Sequence, residues 1–200
     1  MNKRLPKLVG YAAIWNEIGQ DPENGGFYDR MASLAFGRAT VFNDVKALWQ
    51  HNWDYVLASN DDRRGGGVNL WEDTRGLAFE IEPYEDREWI DQAISLIRSG
   101  KVRGMSCSFD YSPTECRFER LASGMVVRTI TRARLDEISV VCSGLCKEPS
   151  VRLVDPPATK AQPAEPAASP ATYRDVIRID PAQVSSPRRH TVRAGLAVYC

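Results

Sequence analysis

The sequence predicts an α+β domain built on a mainly antiparallel, barrel-like β-sheet with inserted helices and followed by a disordered tail. Three observations predict it. Short apolar runs recur along the first three quarters of the chain, divided by Gly-, Asp- and Asn-rich turns, as strands of a sheet or barrel do. One stretch, "DREWIDQAISLIRSG", carries its apolar residues at helical spacing instead. After Leu153 the composition changes to "DPPATKAQPAEPAASPAT", rich in Pro and Ala and nearly without large apolar side chains, which is linker chemistry that cannot form a core. These features divide the chain into a domain over 1–153, a linker over 154–172 and a tail over 173–200.

The first strand is expected from Leu8 to Trp15. The preceding "MNKRLPK" gives it the outline of a signal peptide, but Asn16 and Glu17 end the apolar run without a small-residue cleavage site. A second strand runs from His51 to Ser59. The following "DDRRGGGV" is read as a hairpin tip, because neither a Lys-Ser/Thr pair nor a helix follows the glycines as a phosphate loop requires. Strands from Val68 to Trp71 and Gly76 to Ile81 come next. The helix then sets Trp89, Ile90, Ala93, Ile94 and Ile97 on one face, with Gly100 where a C-terminal cap belongs. Strands from Val102 to Tyr111, Met125 to Thr131 and Leu135 to Cys142 complete the domain. The segment from Tyr173 onward is basic in its middle, with small apolar clusters at Val176 to Ile179 and Leu196 to Tyr199. It reads as disordered or as a docking tail.

Composition narrows the partners. Twenty-six basic residues balance 26 acidic ones, so no net field favours nucleic acid or an anionic membrane surface. No stretch approaches the roughly 20 apolar residues of a membrane-spanning helix, so a soluble protein is expected. Cys107, Cys116, Cys142, Cys146 and Cys200 form an odd set without paired CxxC spacing, which points to reduced thiols that pack as small buried hydrophobes, with a metal site on Cys107, Cys116, Cys142 and Cys146 as the lesser alternative.

His51 is the only histidine inside the predicted domain, since His190 lies in the tail. It stands at a loop-to-strand junction, and an imidazole titrating near neutrality is the natural general base for a hydroxyl nucleophile. In "VRGMSCSFDYS", Ser106 and Ser108 alternate onto one face of a strand while Met105, Cys107 and Phe109 take the other. Most strand serines only pack, and serine attacks only when a base takes its proton, so a nucleophile here requires His51 within hydrogen-bond reach. In "RARLDEISVVCS" the carboxylates Asp136 and Glu137 open an apolar strand. Alternation groups Glu137 with Ser139 and Val141, and Asp136 with Ile138 and Val140. An inward carboxylate needs a partner such as His51 or an arginine, and an outward one pairs in solvent with Arg132 or Arg134.

Taken in order, "VGYAAIWNE", "VKALWQHN", "TRGLAFEIEP", "IRSGKVRGMSCSF" and "TRARLDEISVVCSG" resemble the prohead proteases of tailed bacteriophages, capsid-maturation serine peptidases related to herpesvirus assemblins. The resemblance covers most of Leu8 to Leu153. It implies an assemblin-like fold, His51 as general base, Ser106 as nucleophile after Gly104 and Met105, and Glu137 as the orienting third member, with Asp136 the alternative. It also implies a serine endopeptidase needing no cofactor or metal, which cleaves phage scaffold and the scaffold segment of the major capsid protein, and itself. Such an enzyme acts inside the procapsid in the host cytoplasm, as a homodimer or higher assembly. Backbone N–H groups would form the oxyanion hole, with Arg128 or Arg132 as candidate helpers. The family histidine is commonly followed by Asp, where this chain has Asn52. The competing reading is a protease-fold scaffolding or capsid-interior protein without activity.

Overall fold

The run "GMSCSFD" shows how this chain builds strands: Met105, Cys107 and Phe109 bury one face in the apolar core, and Ser106 is buried on the other. The computed structural model describes residues 4–19, 26–37, 45–59, 66–142 and 151–156. Its elements are β1 (Lys7–Ile14), β2 (Tyr28–Met31), β3 (Lys46–Trp49), β4 (Asn52–Ser59), β5 (Gly67–Glu72), β6 (Gly76–Glu82), α1 (Glu88–Arg98), β7 (Gly104–Asp110), β8 (Cys116–Arg120), β9 (Val126–Ile130), β10 (Arg134–Val141) and β11 (Val151–Val154).

The strands form three sheets, in the orders β11-β1-β6-β5, β4-β3-β10-β7 and β2-β9-β8. The first is antiparallel throughout, whereas β3 with β10 and β2 with β9 are parallel. Both parallel pairs join strands far apart in sequence, as parallel pairing demands, because a tight turn cannot reverse the chain twice. The expected barrel is therefore corrected: among the described residues no sheet closes on itself, and one α-helix is present where several were expected. The segment read as a hairpin tip is also corrected. β4 and β5 flank it but belong to different sheets, so it links sheets. Residues 61–65 of that segment, most of the linker and the whole tail lie outside the described residues.

α1 forms for the reasons its sequence offers. Glu88 and Asp91 in the first turn complement the positive end of the helix, and Ile90, Ala93, Ile94 and Ile97 face the core. Gly100, at φ 71°, takes the left-handed conformation that stops it, and its N–H donates to Ile97 O. Trp89 lies at the margin and meets Tyr55 edge-on at 5.2 Å. The helix packs against β11, and Arg98 pairs with Asp155 just beyond that strand.

Gly76 is required where β6 meets β1. The strand register shifts between Tyr11 and Ala13, and a Cβ on Gly76 would stand 2.1 Å from Ala13 O. That atom is backbone and cannot swing aside. Gly76→Ala should therefore cost about 1–3 kcal/mol, read as a lower denaturant midpoint at unchanged m-value. A midpoint equal to wild type would mean that β1 yields at no cost.

Candidate active site

The hairpin between β3 and β4 positions His51. Trp49 pairs with Asn52, so Gln50 and His51 form a two-residue loop, and both have φ 56°. That is the geometry of a primed hairpin turn, which usually takes Asn-Gly. Non-glycine residues adopt it uncommonly, His more readily than Gln, and two in succession persist only where their surroundings fix them. Here β10 does so. Gln50 N donates to Val140 O at 2.9 Å, and His51 N donates to Ser139 Oγ at 3.2 Å. The histidine thus sits in a turn between two strands, one residue before the strand expected to contain it. Asn52, at the position where the family commonly has Asp, accepts from Asp54 N at 2.9 Å and so supports its own strand.

β10 supplies the acidic group. The β10–β7 register shifts between Leu135 and Glu137, and Asp136 lies in that irregular step. Asp136 turns to Arg134, 2.7 Å away, and burial pushes its carboxyl above the ordinary range while Arg134 pulls it back. Glu137 is buried, and its Oε1 lies 2.7 Å from His51 Nδ1. Its other oxygen, Oε2, accepts from Ser139 Oγ at 2.5 Å. An ionised carboxylate only accepts, so Nδ1 carries the proton in the neutral imidazole and Nε2 presents a lone pair.

β7 supplies the hydroxyls. Ser106 stands opposite Ser139, and Ser108 opposite Glu137. Cross-strand partners share a face, so both serines lie on the side that carries Glu137 and Ser139. Ser106 is fully buried and Ser108 half-buried. Among the described residues, two buried side-chain polar atoms have no hydrogen-bond partner in the protein: His51 Nε2 and Ser106 Oγ. Leaving such atoms unpaired costs free energy, so a fold that keeps them calls for an explanation. They are not hydrogen-bonded to each other in this state.

The two arginines considered for the oxyanion are engaged elsewhere. Arg128 grips buried Asp29 through Nε at 2.6 Å and Nη2 at 2.5 Å, and its Nη1 donates to Tyr111 Oη. Its guanidinium also stacks over Phe27 and Tyr111. Arg132 is 80% exposed, with Glu115 at 3.7 Å. The Asp29–Arg128 pair therefore ties β2 to β9. Asp29→Ala, which strands a mostly buried cation, should cost about 3–5 kcal/mol. Adding Arg128→Met should recover part of that loss in a denaturant titration, and equal losses in the single and double variants would refute the pairing account.

Of the cysteines, Cys107 is buried, Cys116 half-buried and Cys142 exposed, all as thiols, and Gln50 Nε2 donates to Cys142 Sγ at 3.0 Å. Cys146 and Cys200 lie outside the described residues. Among the described residues no group of three or more His, Cys, Asp or Glu side chains is placed to hold a metal ion. Ser139 is the site residue that sequence reasoning missed. Its place on the Glu137 face was visible in the alternation, but its bonds depend on a loop from another strand pair.

No curated protein matches the chain. The family model of the caudovirus prohead serine proteases matches residues 2–162, a span that contains His51, Ser106, Glu137 and Ser139. The chain therefore belongs to the caudovirus prohead serine protease family, the phage proteases of capsid maturation.

Proposed function

We propose that the chain is a serine endopeptidase in which Ser106 is the nucleophile, His51 the general base and Glu137 the group that orients the imidazole. Ser106 Oγ attacks the scissile carbonyl carbon while His51 Nε2 takes its proton. Glu137 keeps the Nδ1 proton in place and stabilises the imidazolium. His51 then gives the proton to the leaving amine, and water repeats the sequence on the acyl-enzyme to release Ser106. The observation that supports this reading best is the pair of unpartnered buried atoms, because the lone pair and hydroxyl left unsatisfied are those the reaction consumes.

The substrates on this reading are the phage scaffold and the scaffold segment of the major capsid protein, cut inside the procapsid in the host cell. The protease domain spans 1–153. The linker over 154–172 and the tail over 173–200 serve as an extension that the enzyme removes from itself, and the protein works as a homodimer or higher assembly. Co-expression with the scaffold and coat proteins of the same phage, read by intact mass, tests this. Cleavage by wild type and Ser108→Ala, lost in Ser106→Ala and His51→Ala, supports it; cleavage that survives Ser106→Ala overturns it. Identical tails in wild type and Ser106→Ala would remove self-cleavage. The missing His51–Ser106 hydrogen bond favours a second reading, an inactive protease-fold scaffolding protein, although such bonds often form only with substrate bound. A wild type that cuts neither partner would favour it.

A further inference from the structure

We propose that Ser139 is a positioning residue for this chemistry, a fourth polar group that fixes the carboxylate and the base together. The proposal rests on the His51–Ser106–Glu137 reading above. Ser139 is fully buried on β10 between Ile138 and Val140, both also fully buried. A packing serine in such a strand needs only one acceptor for its proton. This one makes two bonds, to groups from different elements: it donates to Glu137 Oε2 and accepts from the His51 backbone N–H.

Both partners depend on it. Glu137 is buried, and Oε2 is the oxygen that His51 leaves unused, so without the hydroxyl that buried oxygen loses the donor that satisfies it. The His51 N–H sits in a left-handed hairpin loop, and the hydroxyl is the acceptor found for it there. One hydroxyl thus sets the carboxylate angle and the loop that carries the imidazole. Ser139 also stands opposite Ser106, so it fixes both relative to the strand that bears the nucleophile. It is not itself a nucleophile, because its proton goes to Glu137 and its oxygen contacts a backbone N–H, not an imidazole nitrogen.

The test compares Ser139→Ala and Ser139→Thr with wild type in the full chain. The readings are kcat and KM on a peptide spanning a mapped scaffold cleavage site, and the low-field proton NMR resonance of His51 Nδ1–H, recorded in a Ser106→Ala background to prevent cleavage. Misplacing a base by about 1 Å costs on the order of 10²-fold, so Ser139→Ala should lose about that in kcat at unchanged KM. Its His51 resonance should move upfield or broaden, and threonine, which keeps the hydroxyl, should restore both readings in part. A stability loss with unchanged kcat and unchanged resonance would assign Ser139 to packing alone and overturn the proposal. Ser139→Cys, close in volume and a weaker donor, gives the same readings if the alanine variant does not fold. The two ideas fail separately: activity in Ser106→Ala sinks the assignment of Ser106 as nucleophile, whereas an inactive Ser106→Ala beside a fully active Ser139→Ala sinks only this one.

Discussion

Ser106→Ala should abolish peptide cleavage and at the same time make the protein more stable. Removing the nucleophile of a serine protease lowers kcat by about 10⁶-fold, because the remaining groups cannot form the acyl-enzyme. The stability gain has a different source. Ser106 Oγ is buried with no partner in the protein, and an unsatisfied buried hydroxyl costs about 1–3 kcal/mol relative to an apolar group of similar shape. Alanine removes the oxygen and little else, and a gain of 1 kcal/mol raises the melting midpoint by about 2–4 °C in a chain of this length. A packing serine would give the gain without the loss of cleavage. A lower midpoint would mean that the hydroxyl has a partner in solution, and retained cleavage would dismiss it as nucleophile. The combination of lost activity and gained stability is the signature of a residue kept for function against the interest of the fold.

The same opposition decides what could be read from the sequence. Seven strands and the helix appear within two residues of where alternation and helical spacing placed them, because each buries one face and its apolar residues report that face. Four strands escaped. In β2, "YDRM", two of four residues are charged, and Asp29 goes inside only because Arg128 meets it from β9. β8, "CRFER", buries almost nothing and persists as an edge paired to β9. β3, "KALW", buries three consecutive residues, so it shows no alternation. β11 follows Pro149 at the margin of the linker composition and is secured by its pairing with β1. Closure was misjudged because strand count does not reveal which edges meet, and here the strands pair into three separate sheets. At the candidate site, alternation grouped Glu137 with Ser139 on β10 and Ser106 with Ser108 on β7, and the pairing of the two strands puts both groups on one side of the sheet. The left-handed Gln50–His51 loop had no Gly or Asn to announce it, since contacts with β10 fix that turn.

Glu137→Gln should cut kcat by about 10⁴-fold with KM nearly unchanged, the loss seen when an orienting carboxylate becomes an amide. The hydrogen-bond inventory explains why so small a change is so costly. The site offers Glu137 two donors, His51 Nδ1–H and Ser139 Oγ–H. A carboxylate accepts both, whereas a carboxamide has one acceptor oxygen and an NH₂ that must donate. If the oxygen faces His51, the NH₂ confronts the Ser139 proton, and that hydroxyl loses its acceptor in a fully buried position. If the oxygen faces Ser139, the NH₂ points at Nδ1 and favours the tautomer with its proton on Nε2, where the base needs a lone pair. Either choice removes the geometry for taking the Ser106 proton, and the loss belongs to kcat because peptide binding does not involve Nδ1. Asp136→Asn is the matched control. That carboxyl pairs with Arg134 instead of His51, so its loss should leave kcat close to wild type. Should Asp136→Asn prove the damaging substitution and Glu137→Gln the silent one, the orienting role would pass to Asp136 and the His51–Glu137 contact would be structural.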